Sequence, residues 1–289
     1  MEEIAENIFI EQNLSGVTIG AFKFPDGLLF VDAPWRRADV RAWLTALAAS
    51  DGRIRKMLVM LDTHIDRTIG IQGLEATVIA HENAVNIIDS RNPSLRMQDL
   101  STTAAFTPNE IPSNIQWVTP DMTYSESICL YLNGNPLQIY YRPGSHIAGS
   151  WLRYEAEKVL FIGDSVVTQE PPFLGWANMG IWLKELEELM ADASRGYTII
   201  SGRDGQINQN AIEKMMDILI ETSTLINPAI EKEDLADIVS ETATTLINHY
   251  GFNWNSVEDY RKRLVWGLEN YLWRCSKGQL TQELHGGVE

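Results

Sequence analysis

The 289-residue chain has few basic residues and no long apolar run. Lysine and arginine number 23 against 39 aspartate and glutamate residues, a formal net charge of −16. Nucleic acid is bound through clustered Lys and Arg, so we expect no nucleic-acid partner. No window reaches the roughly 18 apolar residues of a membrane span, so we expect no membrane association. Because a basic, apolar leader is also missing, we expect a cytoplasmic protein.

Cysteine is scarce as well. The two cysteines, Cys129 and Cys275, lie far apart in the sequence and form no metal-binding or redox spacing. A chain of this length buries roughly 75% of its unfolded surface on folding, so its core needs no disulfide. We therefore expect both residues to be buried free thiols.

Short apolar segments separated by turns occupy much of the first 200 residues. Strand character is found at 17–24, 28–31, 57–61, 127–132, 137–141, 150–154 and 159–162. Two strand-rich halves, each followed by helical stretches, predict two packed sheets with helices outside them. Residues 91–121 are rich in Pro, Ser, Thr and Asn, which is typical of a functional lid or an inserted loop.

The sequence after residue 205 has helical periodicity throughout, with apolar residues recurring on one face. We expect a main domain over residues 1–226 and a helical extension over residues 227–289 packed on it. Three tryptophans, Trp254, Trp266 and Trp273, lie in or near the last helix. They favour, as a further prediction, a homodimer formed through the C-terminal helices.

His146 and Asp164 are the most informative polar residues. His146 lies in the Gly-bounded loop GSHIAGS at 144–150, and Asp164 follows the apolar run at 159–162, which predicts a buried strand. The pair resembles the later ligand motifs of the metallo-β-lactamase superfamily, in which a loop His and a strand-end Asp share a dinuclear metal site. The resemblance implies an α/β fold, the four-layer αββα sandwich, here with added C-terminal helices.

The first ligand motif of that superfamily is matched only in part. The superfamily has His-x-His-x-Asp-His after a buried strand, whereas this chain has THIDR at 63–67. With a two-residue gap, His64 takes the first ligand position, Asp66 takes the Asp position and Arg67 replaces the last His. Without that gap, Asp66 takes the place of the second His and joins His64 at the first metal. Both registers stay open at the level of sequence.

The last motif of the superfamily, a Gly-His-Gly turn, corresponds to GRDG at 202–205, so Arg203 stands in place of a His. Arginine stays protonated and has no lone pair to donate to a cation. A guanidinium about 4 Å from a divalent ion costs about 8 kcal/mol at an effective dielectric near 20. We therefore expect no second metal, and expect Arg67 and Arg203 to pair with Asp66 and Asp164 instead.

The resemblance therefore implies one divalent ion, which would be zinc, iron or manganese. Its ligands would be His64, His146 and Asp164, with Asp66 as a further ligand. Asp66 and Asp164 are the expected catalytic carboxylates. Such a site predicts water attack on an ester, amide, lactone or phosphoester of a small-molecule substrate. The alternative is a metal-free protein that binds an anionic ligand or partner through Arg67 and Arg203.

The same residues also have a purely structural interpretation. His64 and His146 could be hydrogen-bonded loop histidines, with Asp164 as a turn or cap residue. The acidic run ELEE at 185–188 predicts a solvated helix face. The substrate itself cannot be derived from the motifs, because loops such as 170–176 would form the walls of a pocket and set its specificity.

Overall fold

The computed structural model describes residues 1–14, 16–25, 27–48, 55–91, 115–230, 235–252 and 257–280. Most of the predicted lid at 91–121 lies outside these residues, and so does Trp254. Within the described ranges, none of the helices is long and apolar enough to cross a membrane.

Two mixed β-sheets form the centre of the molecule. The first sheet contains β1 (Glu2–Ala5), β2 (Ile8–Leu14), β3 (Val17–Phe24), β4 (Gly27–Val31), β5 (Arg55–Val59), β6 (Thr77–His81) and β7 (Met122–Tyr124), in that order. The second sheet contains β8 (Ser127–Leu132), β9 (Asn135–Tyr141), β10 (Ser150–Tyr154), β11 (Val159–Phe161), β12 (Thr198–Ser201) and β13 (Gly205–Ile207). Strands β4 to β7 are parallel to one another, and β11 is parallel to β12.

Helices cover both outer faces. They are α1 (Arg37–Ala46), α2 (Ile65–Thr68), α3 (Asn83–Asp89), α4 (Met179–Ser194), α5 (Gln209–Ile230), α6 (Leu235–Tyr250) and α7 (Val257–Ser276). Val40 and Trp43 of α1 pack on the first sheet, whereas Trp182 and Leu186 of α4 pack on the second. The predicted αββα sandwich with added C-terminal helices is therefore confirmed.

Strand β4 shows why its residues form a continuous apolar run. Successive side chains of a strand point to opposite faces, so Leu29 and Val31 enter the core between the sheets while Leu28 and Phe30 pack under α1. Both faces are covered, so both sets must be apolar. The two sheets meet closely at Gly20, where an added Cβ would lie 2.5 Å from the ring of Phe161.

The C-terminal helices share one apolar core with α4 and the second sheet, to which Leu246 of α6 and Leu264 and Leu268 of α7 contribute. Helix α5 crosses residue 226 without a break. The division of the chain at that residue stays a prediction.

The expectation of two buried thiols is wrong. Both cysteines are free, but Cys129 is exposed and Cys275 is half-buried. Cys129 lies on the edge strand β8, whose odd-numbered residues face away from the core. An apolar-looking strand at a sheet edge buries only one of its faces, which explains the error.

Polar residues that follow several strands converge at one end of the double sheet. Asp32 follows β4, Asp164 follows β11 and Arg203 follows β12. Backbone hydrogen bonds join the sheets at this end: the N–H of Ser150 donates to the carbonyl of Leu61 over 2.8 Å. The site described below is therefore assembled by both sheets.

Gly70 should be sensitive to substitution, because an added Cβ would lie 1.8 Å from the carbonyl oxygen of Pro34. The backbone at Pro34 cannot move away to relieve this clash as a flexible side chain could. We expect Gly70→Ala to lower the free energy of unfolding by about 3 kcal/mol in urea titrations. Gly73→Ala is the matched control, since its Cβ would meet only the side chain of Val40, at 3.0 Å. Equal stability of the two variants would contradict this packing.

Candidate metal centre

The segment after β5 presents Asp62 and His64 side by side. The N–H of His64 donates to Asp62 Oδ1 over 2.9 Å, and Asp62 Oδ2 accepts a hydrogen bond from Arg67. Burial raises the pKa of Asp62, but its neighbours, Arg67 foremost, together outweigh burial and hold this pKa below its usual range. Asp62 was not among the predicted site residues. The signal is nevertheless in the sequence, because Asp62-x-His64-x-Asp66-Arg67 matches His-x-His-x-Asp-His without a gap.

Asp164 lies in a single 3₁₀ turn directly after β11 and is 2% exposed. Its Oδ1 is 2.8 Å from a terminal nitrogen of Arg67, while its Oδ2 is 2.9 Å from Nε of Arg203 and 3.2 Å from Nε2 of His64. Burial raises the pKa of Asp164, but the guanidiniums of Arg203 and Arg67 hold it far below its usual range. The carboxylate is therefore ionised across the physiological pH range.

Arg203 joins Asp164 to Asp66. Its two terminal nitrogens donate to Asp66 Oδ2 and Oδ1 over 2.9 and 3.2 Å, a two-pronged pair that occupies both carboxylate oxygens. A third acidic residue, Glu170, lies 3.3 Å from Arg203. The structure thus brings together the arginines and aspartates expected to pair. The roles of Asp66 as a metal ligand or catalytic carboxylate stay predictions.

His146 lies beside His64, with 5.2 Å between the ring centroids. Its Nδ1 accepts the N–H of Ala148 over 3.0 Å, and its Nε2 is 3.2 Å from the hydroxyl of Thr63. Burial lowers the pKa of His146 to about 3, so the ring is neutral at pH 7. A neutral ring that accepts at Nδ1 carries its proton on Nε2. Metal binding through Nε2 requires the other tautomer, and the ligand role of His146 stays a prediction.

Asp62, His64 and Asp164 form a buried group with the geometry of a cation site. One donor atom from each lies within 4.8 Å of the other two. Burial lowers the pKa of His64, so its ring is neutral, and its Nε2 has no hydrogen-bond partner. The 3.2 Å between this nitrogen and Asp164 Oδ2 matches the edge of a tetrahedron with bonds of about 2.0–2.1 Å. This donor set fits one divalent ion.

Arg203 holds both oxygens of Asp66. The internal pairing of the arginines with aspartates disfavours the alternative of an anion receptor. Arg67 and Arg203 are buried, and carboxylates face the nitrogens of each guanidinium. An incoming anion would have to displace these internal pairs.

The loop that follows Glu170 covers the site, and α7 holds that loop in place. The ring of Phe173 lies 4.4 Å from His64, and the guanidiniums of Arg203 and Arg263 lie over it at 4.4 and 4.1 Å. Arg263 of α7 also donates to Glu170 over 2.9 Å. The C-terminal helices therefore contribute directly to the surroundings of the site.

Glu185 behaves differently from the solvated face predicted for residues 185–188. It is 4% exposed, and its carboxylate accepts the N–H of Gly144 at 3.1 to 3.2 Å, at the start of the loop that carries His146. Burial raises its pKa to about 8. The prediction of a solvated residue is wrong here because charge alone does not reveal which side of α4 meets the His146 loop.

The architecture resembles that of several solved structures. No protein-family model matches the chain, and no curated protein matches it significantly. A metallo-beta-lactamase family protein from Thermus thermophilus superposes with a TM-score of 0.67 and 16% identity, covering 96% of this chain and 95% of that one. A metallo-beta-lactamase from Pontibacter korlensis gives 0.57 and 14%, covering 76% and 97%.

A third solved structure is a double mutant of the sec-alkyl sulfatase PisA1. It gives a TM-score of 0.64 at 13% identity and covers 94% of this chain, which spans about half of that protein. At such identities the likeness concerns the fold. The chain has the metallo-β-lactamase fold, as the ligand motifs indicated, and β-lactamases and an alkyl sulfatase share it.

The buried ion pair between Arg263 and Glu170 should matter for stability. We expect Arg263→Met to lower the free energy of unfolding by about 3 kcal/mol, because it leaves a 10% exposed carboxylate with one partner fewer. The adjacent Lys262→Met is the control, since Lys262 is 54% exposed and its nearest acidic partner is 3.7 Å away. It should cost about 0.5 kcal/mol or less. Urea titrations of both variants measure these two losses, and equal losses would contradict the prediction.

Glu185 should make stability depend on pH. Its pKa is raised from 4.5 to about 8 in the folded protein, so folding takes up a proton and stability is lost as pH rises through this window. As pH rises across that window, we expect the free energy of unfolding of Glu185→Gln to increase by on the order of 3 kcal/mol relative to that of the wild type. Glu188→Gln, at an exposed position of the same helix, is the control. Parallel stability curves for wild type and Glu185→Gln would refute the assignment.

Proposed function

We propose that this protein is a hydrolase that uses one divalent cation, held by Asp62, His64 and Asp164, to direct water onto a small-molecule ester, amide, lactone or phosphoester. The proposal is carried by the three buried donor atoms within 4.8 Å of one another, one of them an imidazole nitrogen without a hydrogen bond. A nitrogen and two carboxylate ligands suit zinc, iron or manganese. The shared fold of known hydrolases supports the reaction class.

When bound, such an ion would lower the pKa of a coordinated water to about 7 and polarise the scissile group. The chain's own residues orient the site. Asp62 is fixed by the N–H of His64 and by Arg67, and Asp164 is fixed by Arg67 and Arg203. Ligands held in this way need little rearrangement to bind an ion.

Two aromatic residues of the covering loop limit the access of bulk water. Phe173 packs on His64, and Trp176, 40% exposed, lies with its ring 6.4 Å from that of His146. Ile147, beside His146, is 38% exposed. A partly exposed apolar rim of this kind supports a substrate with an apolar portion next to the scissile bond.

Cytoplasmic residence and a homodimer formed through the C-terminal helices remain part of the proposal. Trp273 of α7, 54% exposed, supports such a contact, since large exposed aromatic residues are enriched at subunit interfaces.

The proposed ligand set can be tested by metal content and hydrolysis together. Wild-type protein loaded with zinc or manganese should hydrolyse at least one member of a panel of aryl esters, amides, lactones and phosphoesters, and EDTA should abolish this activity. Asp164→Asn should lose the ion and roughly 100-fold or more in rate. Asp121→Asn, an exposed carboxylate that accepts the N–H of Val78, should retain both. Loaded wild-type protein that hydrolyses no class of substrate would overturn the proposal.

A further inference from the structure

Arg67 occupies the space between the two carboxylates of the cation site. One terminal nitrogen lies 2.8 Å from Asp164 Oδ1, the other contacts Asp62 Oδ2, and Nε is 3.7 Å from Asp32 Oδ2. The side chain is fully buried, and arginine stays protonated in proteins. A permanent positive charge therefore contacts two of the three residues that would bind the ion.

The fold provides this position for Arg67 in two ways. The backbone is fixed where α2 begins, because the N–H of Arg67 donates to the carbonyl of His64 and its own carbonyl accepts the N–H of Ala33. On the opposite side, Gly202 leaves room for the guanidinium. A Cβ at residue 202 would lie 1.8 Å from a terminal nitrogen of Arg67, so only glycine permits this approach.

We propose that Arg67 is an internal counter-ion of the cation site. It keeps Asp62 and Asp164 in place and electrically balanced in the absence of an ion, and its charge weakens binding of that ion. Folding of the protein then does not depend on metal, and the cation occupies the site only when its concentration is high. This inference rests on the cation site of the proposed function, but it concerns affinity and stability rather than turnover.

Two effects of removing Arg67 oppose each other, and the structure decides between them. Loss of the Arg67 guanidinium would leave the side chains of Asp62 and Asp164 less firmly positioned, which disfavours ion binding. Yet Asp62 keeps its hydrogen bond from the N–H of His64, and Asp164 keeps Nε of Arg203. The ligands thus stay positioned. The substitution also removes the full positive charge of Arg67, which repels the cation strongly because the site is buried. The net effect is tighter binding of the cation.

The experiment compares wild type with Arg67→Gln, using zinc and manganese salts alone in competition with a chelating dye. We expect Arg67→Gln to bind zinc at least about tenfold more tightly. Thermal unfolding gives a second readout. EDTA should leave the wild-type melting temperature unchanged but lower that of Arg67→Gln, and zinc should restore it. In this variant Asp62 has lost its guanidinium partner and Asp164 keeps only Arg203.

Two further variants serve as controls. Arg67→Lys retains the positive charge and should bind zinc within about threefold of the wild type. If Arg67→Gln does not fold, Arg67→Gln combined with Asp32→Asn removes one of the facing charges as well. The amide oxygen introduced by Asp32→Asn can still accept the N–H of Leu61, which the Asp32 carboxylate accepts now. The same tenfold gain is expected from this double variant.

The outcomes separate this inference from the proposed function. A folded Arg67→Gln or double variant that binds zinc no more tightly than the wild type overturns the inference and leaves the cation site standing. Zinc binding by none of the proteins overturns both. Tighter binding by Arg67→Gln, together with no hydrolysis by the loaded wild type, supports the counter-ion role and removes only the enzymatic proposal.

Discussion

The buried carboxylate of Asp164 is the contact on which the site depends. It faces Arg67, Arg203 and His64 at distances of 2.8 to 3.2 Å, and it is 2% exposed. These partners come from the loop after β5 and the turn after β12, whereas Asp164 itself follows β11, so one carboxylate ties the two sheets together. In surroundings that exclude water, such a network persists only if each charge is compensated, which explains why arginines and aspartates alternate through it.

The same network extends into the C-terminal helices. Arg203 also contacts Glu170, which pairs with Arg263 of α7. Both guanidiniums lie over the ring of Phe173, which packs on His64. The final helices are thus part of the packing around the site as well as of the fold's outer layer.

Much of the fold, and part of the candidate site, could be predicted from local sequence. Apolar runs such as 28–31 identify buried strands, and the Gly-bounded loop of His146 and the strand-end Asp164 indicate their shared edge. Asp62 escaped prediction because both registers of the first motif put His64 at the first ligand position, which leaves Asp62 outside the motif. Glu185 was assigned to solvent because an acidic run on a helix usually faces water, whereas here the backbone of Gly144 meets it.

The sequence by itself determined the order of strands and helices and the presence of arginines where lone-pair donors would otherwise stand. These properties are local, since they follow from side-chain chemistry and from the period of apolar residues. Only the tertiary structure decided that Arg67 lies between Asp62 and Asp164 while Arg203 takes both oxygens of Asp66. Pairing among charges far apart in the chain depends on which loops the two sheets bring to one edge, and on a glycine that leaves room for a guanidinium.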